Sequence, residues 1–188
     1  MNDDDDRARY QALVRSFDEP SMRVRIRRKD ESAMQSFIGH ALRALTFGGQ
    51  DRYMSEYVTT LGRTIWVPAD WERWTHRARY KVLRHEVVHV RQFERLGWIG
   101  MVLVYGCFPL PAGLAWGRAE LEWEAYAETL RAEFDLEGLS GASDRRLHDG
   151  IVRRFTGPDY GWMWPFEGWV RRRIERELSR FSRGRPEP

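Results

Sequence analysis

"RYKVLRHEVVHVRQFERLG", residues 79–97, decides how the rest of the chain is read. Two histidines stand four apart around a glutamate, His85-Glu86-Val87-Val88-His89. Each residue of an α-helix advances about 100°, so His85 and His89 stack on one face about 40° apart. Glu86 falls at the edge of that face. Val82, Leu83, Val87, Val88 and Val90 hem the same helix, which predicts burial. Two buried imidazoles beside a buried carboxylate are costly without a partner. At this spacing two imidazoles can share one Zn²⁺, and the neighbouring carboxylate can reach a water bound to it. Zinc brings the pKa of such a water toward neutrality, and Glu86 takes its proton as it attacks a carbonyl. Chance produces the pattern in roughly one such chain in a hundred. The plain alternative is a helix that happens to carry two histidines.

The remainder of the chain sets the frame. Its 188 residues suit one domain, and 42% hydrophobic residues are enough for a sizeable core. Aromatics reach 13%, with nine tryptophans, which argues against disorder. The net charge is +3, and the only lysines are Lys29 and Lys81. The lone cysteine, Cys107, excludes an intrachain disulfide and lies in an apolar run. The start, MNDDDDRARY, is acidic and lacks the pattern of a secretory signal, so the default expectation is a cytoplasmic location. Residues 97–117, GWIGMVLVYGCFPLPAGLAWG, qualify that expectation: they carry no charge and have the length of a membrane span. Pro109, Pro111 and five glycines weaken them as a helix. A helical hairpin or covering loop is the main expectation, with peripheral membrane contact through 97–117 beside it.

Along the chain, residues 4–17 read as a charged helix and 22–28, MRVRIRR, as a strand. Asp30 or Ser32 is placed to cap a helix over ESAMQSFIGHALRALTF. YVTTLGRTIWVPAD reads as a hairpin around Leu61-Gly62-Arg63. A long helix follows from about residue 72 to Leu96, with Gly97 as its stop. A second strong helix covers 118–134, and a third follows Ser143 as cap. PDYGWMWPF is an aromatic turn, and EGWVRRRIERELSRF is a final basic helix. There is no internal repeat and no linker. The expected fold is α+β: one helix-rich domain over 1–188 with a small sheet.

A catalytic zinc site needs a third protein ligand and one open position. Cys107 is an unsuitable ligand in its Pro/Gly-rich surroundings, and His40, His76 and His148 lie elsewhere. The helix ELEWEAYAE offers a better one. Glu120, Glu124 and Glu128 share a face with Arg131, as a solvated stripe with ion pairs along the helix would. Glu122 projects to the opposite side with Ala119, Ala125, Tyr126 and Thr129. Small residues there permit close approach, and an inward carboxylate needs a partner that zinc would supply. An arginine such as Arg118 is the competing partner for Glu122.

His85-Glu86-x-x-His89 followed by Glu122-x-x-Ala125 resembles the gluzincin class of zinc metallopeptidases, and the size is similar to the single-domain minigluzincins. The resemblance spans roughly residues 60–130. It implies a zincin-like fold, Zn²⁺ as cofactor and a peptide or protein substrate. It also implies His85, His89 and Glu122 as ligands and Glu86 as general base. The Glu-x-x-Ala helix is also similar to that of membrane-embedded CAAX-type proteases, but Tyr126 stands where they have an aspartate. Zincins place a strand at the cleft edge before the zinc helix, and GRTIWVP, residues 62–68, is in position for it. They also place a donor toward the oxyanion; Tyr160 is the candidate here, with Tyr105 and His148 as alternatives.

Two other readings stay open. One is a latent or non-catalytic zinc-binding protein, its cleft plugged by Trp162, Trp164 and Trp169. The other is a binding module that uses the basic helix GWVRRRIERELSR on an anionic membrane or nucleic acid. No nucleic-acid-binding motif accompanies that charge, so no nucleic acid is expected as partner.

Overall fold

β-branched residues in VTTL and TIWV build a hairpin: β2 (Thr59–Leu61) pairs antiparallel with β3 (Thr64–Val67). The two-residue loop Gly62-Arg63 closes it, and Gly62 takes the positive φ (59°) that such tight loops need. β1 (Arg25–Arg28) adds in parallel to the other side of β3, with Arg25 opposite Thr64. The sheet is therefore mixed, in the order β1-β3-β2. The fold is helix-rich with this small three-stranded sheet, an α+β class. The computed structural model describes residues 3–33, 35, 57–106, 115–157, 163–164 and 166–184, without the side chain of Tyr105. Most of the helix expected over 31–47, and with it His40, lies outside the described residues, as do Cys107, Pro109, Pro111, Tyr160 and Trp162.

One expectation is overturned by this topology. β3 cannot serve as a cleft-edge strand for an extended substrate, because β1 and β2 already occupy both of its sides. The backbone groups that strand addition would use are already hydrogen-bonded within the sheet.

Five helices are described. α1 (Asp3–Ser16) opens with four aspartates, which complement the positive end of its dipole. α2 (His76–Met101) starts later than residue 72, because Trp71–Arg73 form a 3₁₀ turn. The Thr75 hydroxyl accepts from the Ala78 amide at 3.2 Å and caps α2. At Gly97 (φ 66°, ψ 176°) the backbone leaves helical geometry, so the straight segment ends at the expected stop. A π-helical stretch, Val102–Gly106, follows. α3 (Trp116–Ala142) runs past residue 134 and breaks helical geometry at Gly138. α4 (Arg145–Thr156) is capped by Asp144, not Ser143 as the sequence suggests: the Asp144 carboxylate accepts from the Arg146 amide at 2.8 Å. Ser143 instead terminates α3. α5 spans Glu167–Ser182.

The chain forms two compact units, Met1–Glu94 and Arg95–Pro188, and the division falls within α2. The core of the first gathers Phe17, Val24, Ile65, Val67, Trp71, Leu83, Val87 and Val90. Leu83, Val87 and Val90 recur at i, i+4 and i+7, one stripe of α2. The core of the second is aromatic: Trp123 and Phe155 pack with Val152, Val170 and Ile174. Trp164 and Trp169 lie against that core, with ring centroids 5.7 Å apart. Removing the chain from about residue 158 would strip Val170 and Ile174 from it, so a C-terminal truncation is not a neutral change. Two carboxylates of the acidic stripe of α3 make ion pairs beyond the helix. Glu120 pairs with Arg173 of α5 at 2.5 Å and Glu124 with Arg95 at 3.0 Å, so these carboxylates tie elements together.

Asp144→Ala should lower the unfolding free energy by about 1 kcal/mol, while Asp144→Asn should keep most of it. Urea unfolding of the three proteins measures this; equal midpoints would mean that the cap contributes nothing.

Candidate metal centre

Helix α2 presents two opposed faces. Taking Leu83 as the origin, Val87 and Val90 fall within about 40° of it, and His85, His89 and Gln92 cluster near 180–240°. The valine and leucine stripe meets the core. The other side carries the histidines, and Glu86 sits between the two faces. Glu86, His89 and Gln92 are buried, and His85 is half-buried.

The two imidazoles converge. Nε2 of His89 lies 3.3 Å from Nε2 of His85, and the rings meet edge to face. Nδ1 of His89 lies 2.9 Å from Oε1 of Gln92. An amide oxygen only accepts, so Nδ1 carries the proton and a neutral ring directs its Nε2 lone pair toward His85. Two nitrogens on a tetrahedral ion at 2.0–2.1 Å would stand about 3.3 Å apart. The donors therefore suit one zinc ion. Glu122 is almost wholly buried on α3.

Glu86 is held from the sheet. Thr60 on β2 lies opposite Ile65, so both side chains leave the same face of the sheet. Ile65 joins the core stripe of α2, and Thr60 reaches across to donate from Oγ1 to Oε2 of Glu86 at 2.7 Å. Burial pushes the Glu86 carboxyl above its ordinary range, while the His89 ring, the Thr60 hydroxyl and Lys29 each pull it down. Lys29 is fully buried in the 3₁₀ turn after β1. Burial lowers its ammonium to about 7, and the charge of Glu86 opposes that shift.

Of the residues singled out from the sequence, His85, His89, Glu86 and Glu122 are all buried or half-buried. Tyr160 lies outside the described residues, as does the side chain of Tyr105. Nε2 of His148 donates to the Ala142 carbonyl at 2.7 Å, which gives that ring a structural task at the end of α3. Thr60, Gln92 and Lys29 are functional candidates that the sequence reading missed. Gln92 carried a signal, since it stands at i+3 from His89 on the same face. Lys29 carried one too: only two lysines occur in a chain whose other basic side chains are arginine, and lysine tolerates burial by releasing its proton. Thr60 carried none, because its role depends on strand register. The chain matches no family model, no curated protein and no solved structure.

Lys29 makes stability depend on pH. Its folded pKa of about 7 lies below the ordinary 10.5, so between these values the unfolded chain binds the proton that the folded one has lost. Stability rises with pH across that window, and the cost of burying the ammonium is fully present below it. Relative to Lys29→Met, wild type should gain a few kcal/mol of unfolding free energy between pH 7 and pH 10. Denaturant titrations at both pH values measure the difference; a gap that does not change with pH would contradict it.

Proposed function

We propose that the chain is a zinc-dependent metallopeptidase of zincin-like, gluzincin type. His85, His89 and Glu122 hold the metal, and Glu86 is the general base. The observation that carries this reading is the convergence of two imidazole nitrogens, 3.3 Å apart on one face of α2, with the Glu86 carboxylate buried on the same helix and acted on by the His89 ring; the buried Glu122 is the third ligand that the resemblance supplies. A nitrogen–nitrogen–oxygen donor set is one that zinc accepts in catalytic sites, and it leaves one position open. Bound there, zinc supplies Lewis acidity toward a water and a carbonyl oxygen.

The chain's own groups do the rest. Gln92 fixes the His89 tautomer, so that the ring offers a lone pair rather than an N–H. Thr60 holds the Glu86 carboxylate in one orientation through Oε2, which leaves Oε1 to take a proton from the attacking water. Glu86 can then hand that proton to the leaving amine. Burial favours its protonated form, which makes it a readier acceptor than an exposed glutamate. Tyr160 is the proposed oxyanion donor. A peptide or protein is the proposed substrate. A zinc protein without hydrolytic activity would use the same ligands, and Glu86 is the residue that separates the two readings.

Elemental mass spectrometry of the full-length protein should find about one zinc per chain, lost in His89→Ala. Glu86→Gln should keep the metal and reduce cleavage of an unfolded protein substrate at least about 100-fold. Thr60→Val should keep the metal and lower kcat more than it changes KM, with Thr60→Ser restoring most of the rate. Absence of zinc from the wild type after incubation with it would remove the centre. Undiminished hydrolysis by Glu86→Gln would remove its assigned base.

A further inference from the structure

Leu96–Gly117 carries no charged side chain, and Arg95 and Arg118 are the first charges on either side. Within the described part of this run, Trp98, Ile99, Val102 and Leu103 are each 55–78% exposed, while Met101 is buried. Positions i, i+1, i+4 and i+5 share one side of a helical stretch, and the position before the third of them turns away from it. The run therefore has a buried side and an exposed apolar side. Trp116, 57% exposed, belongs to the same surface. The backbone at Gly117 comes so close to the π-helical stretch that an added Cβ would lie 3.1 Å from Cγ1 of Val104. That contact sets the first turn of α3 beside the exposed side chains. Seven large apolar side chains are exposed among the described residues, and five of them are here. A concentration of this kind marks an interaction surface more often than scattered apolar exposure does.

The composition favours lipid over protein. Indole rings, with an apolar body and one N–H, prefer the headgroup level of a bilayer. Here they stand at both ends of the exposed set, with branched aliphatic side chains between them. The four positions of the helical stretch carry no charge. Arg95 is exposed at the border of the run and also pairs with Glu124. Its long side chain can place charge at the phosphate level while the apolar groups enter below it. The net charge of +3 adds attraction to an anionic surface. Among the described residues no helix is long and apolar enough to cross a membrane.

We propose that Trp98, Ile99, Val102, Leu103 and Trp116 form a docking face that holds this chain on the surface of a bilayer containing anionic lipid. The face takes the interfacial mode, with aliphatic side chains at the headgroup boundary and arginine above them. It is independent of the metal centre and stands whether or not the chain hydrolyses peptides.

The test is co-sedimentation of the full-length protein with vesicles of phosphatidylcholine, with and without phosphatidylglycerol. Binding to the phosphatidylglycerol vesicles is expected, weakened but not abolished by high salt. Trp98→Asp with Leu103→Asp should reduce it at least about tenfold. Both side chains are exposed, so the fold should survive; circular dichroism checks this, and Ile99→Ser serves if the double variant is unfolded. No binding to either vesicle, or binding that the substitutions leave intact, would overturn the proposal. Equal binding to both vesicles would overturn the requirement for anionic lipid. A concentration-dependent dimer in sedimentation velocity, abolished by the same substitutions and without vesicle binding, would assign the face to a second copy of the chain instead.

Discussion

A carboxylate buried on α2 is the constraint to which much of the first unit answers. Glu86 cannot be taken from water cheaply, and burial alone drives it toward the protonated form. Three groups from different parts of the chain offset that cost: a hydroxyl on β2, an ammonium after β1 and an imidazole one turn along the same helix. Each demands its own placement. The hydroxyl needs the β2–β3 register, the ammonium needs β1 beside β3, and the imidazole needs only helical spacing. The sheet, small as it is, brings the first two to α2.

Such a site is expensive for stability and useful for chemistry for the same reason. A lysine held at about 7 and a glutamate pushed upward are each strained toward neutrality by the low dielectric around them. Core packing on the opposite stripe of α2, through Leu83, Val87 and Val90, supplies the offsetting stabilisation. Polar and apolar faces of one helix thus divide the work: one supplies the binding energy of the fold, and the other holds groups that no fold would bury for stability alone. Perturbed ionisation of this kind clusters at functional sites, which supports the catalytic reading of Glu86 without depending on any relative of the chain.

The second unit follows a different logic. Its core is built from aromatic rings, and its acidic helix is tied by Arg95 and Arg173 from outside the helix. Arginine suits this role, since its planar fork can meet both oxygens of one carboxylate, as Arg95 does with Glu124. The exposed apolar side chains around Trp98 are the exception to this order.

Local physics made much of the chain legible. Helical spacing alone places His85 and His89 on one face, β-branched runs around Gly62 announce a hairpin, and Gly97 marks the end of a straight segment. These features need only neighbours within a few residues. Inward placement of Glu122 was also readable, because the charged stripe on the other side of α3 leaves it a single face. Tertiary structure decided what depends on distant partners. It made β3 a central strand by adding β1 from the far side, moved the α4 cap from Ser143 to Asp144 when α3 ran on, and brought Thr60 and Lys29 to Glu86. No periodicity encodes those contacts: each joins residues separated by a fold, and a strand register shifted by one residue would turn Thr60 to the other face of the sheet.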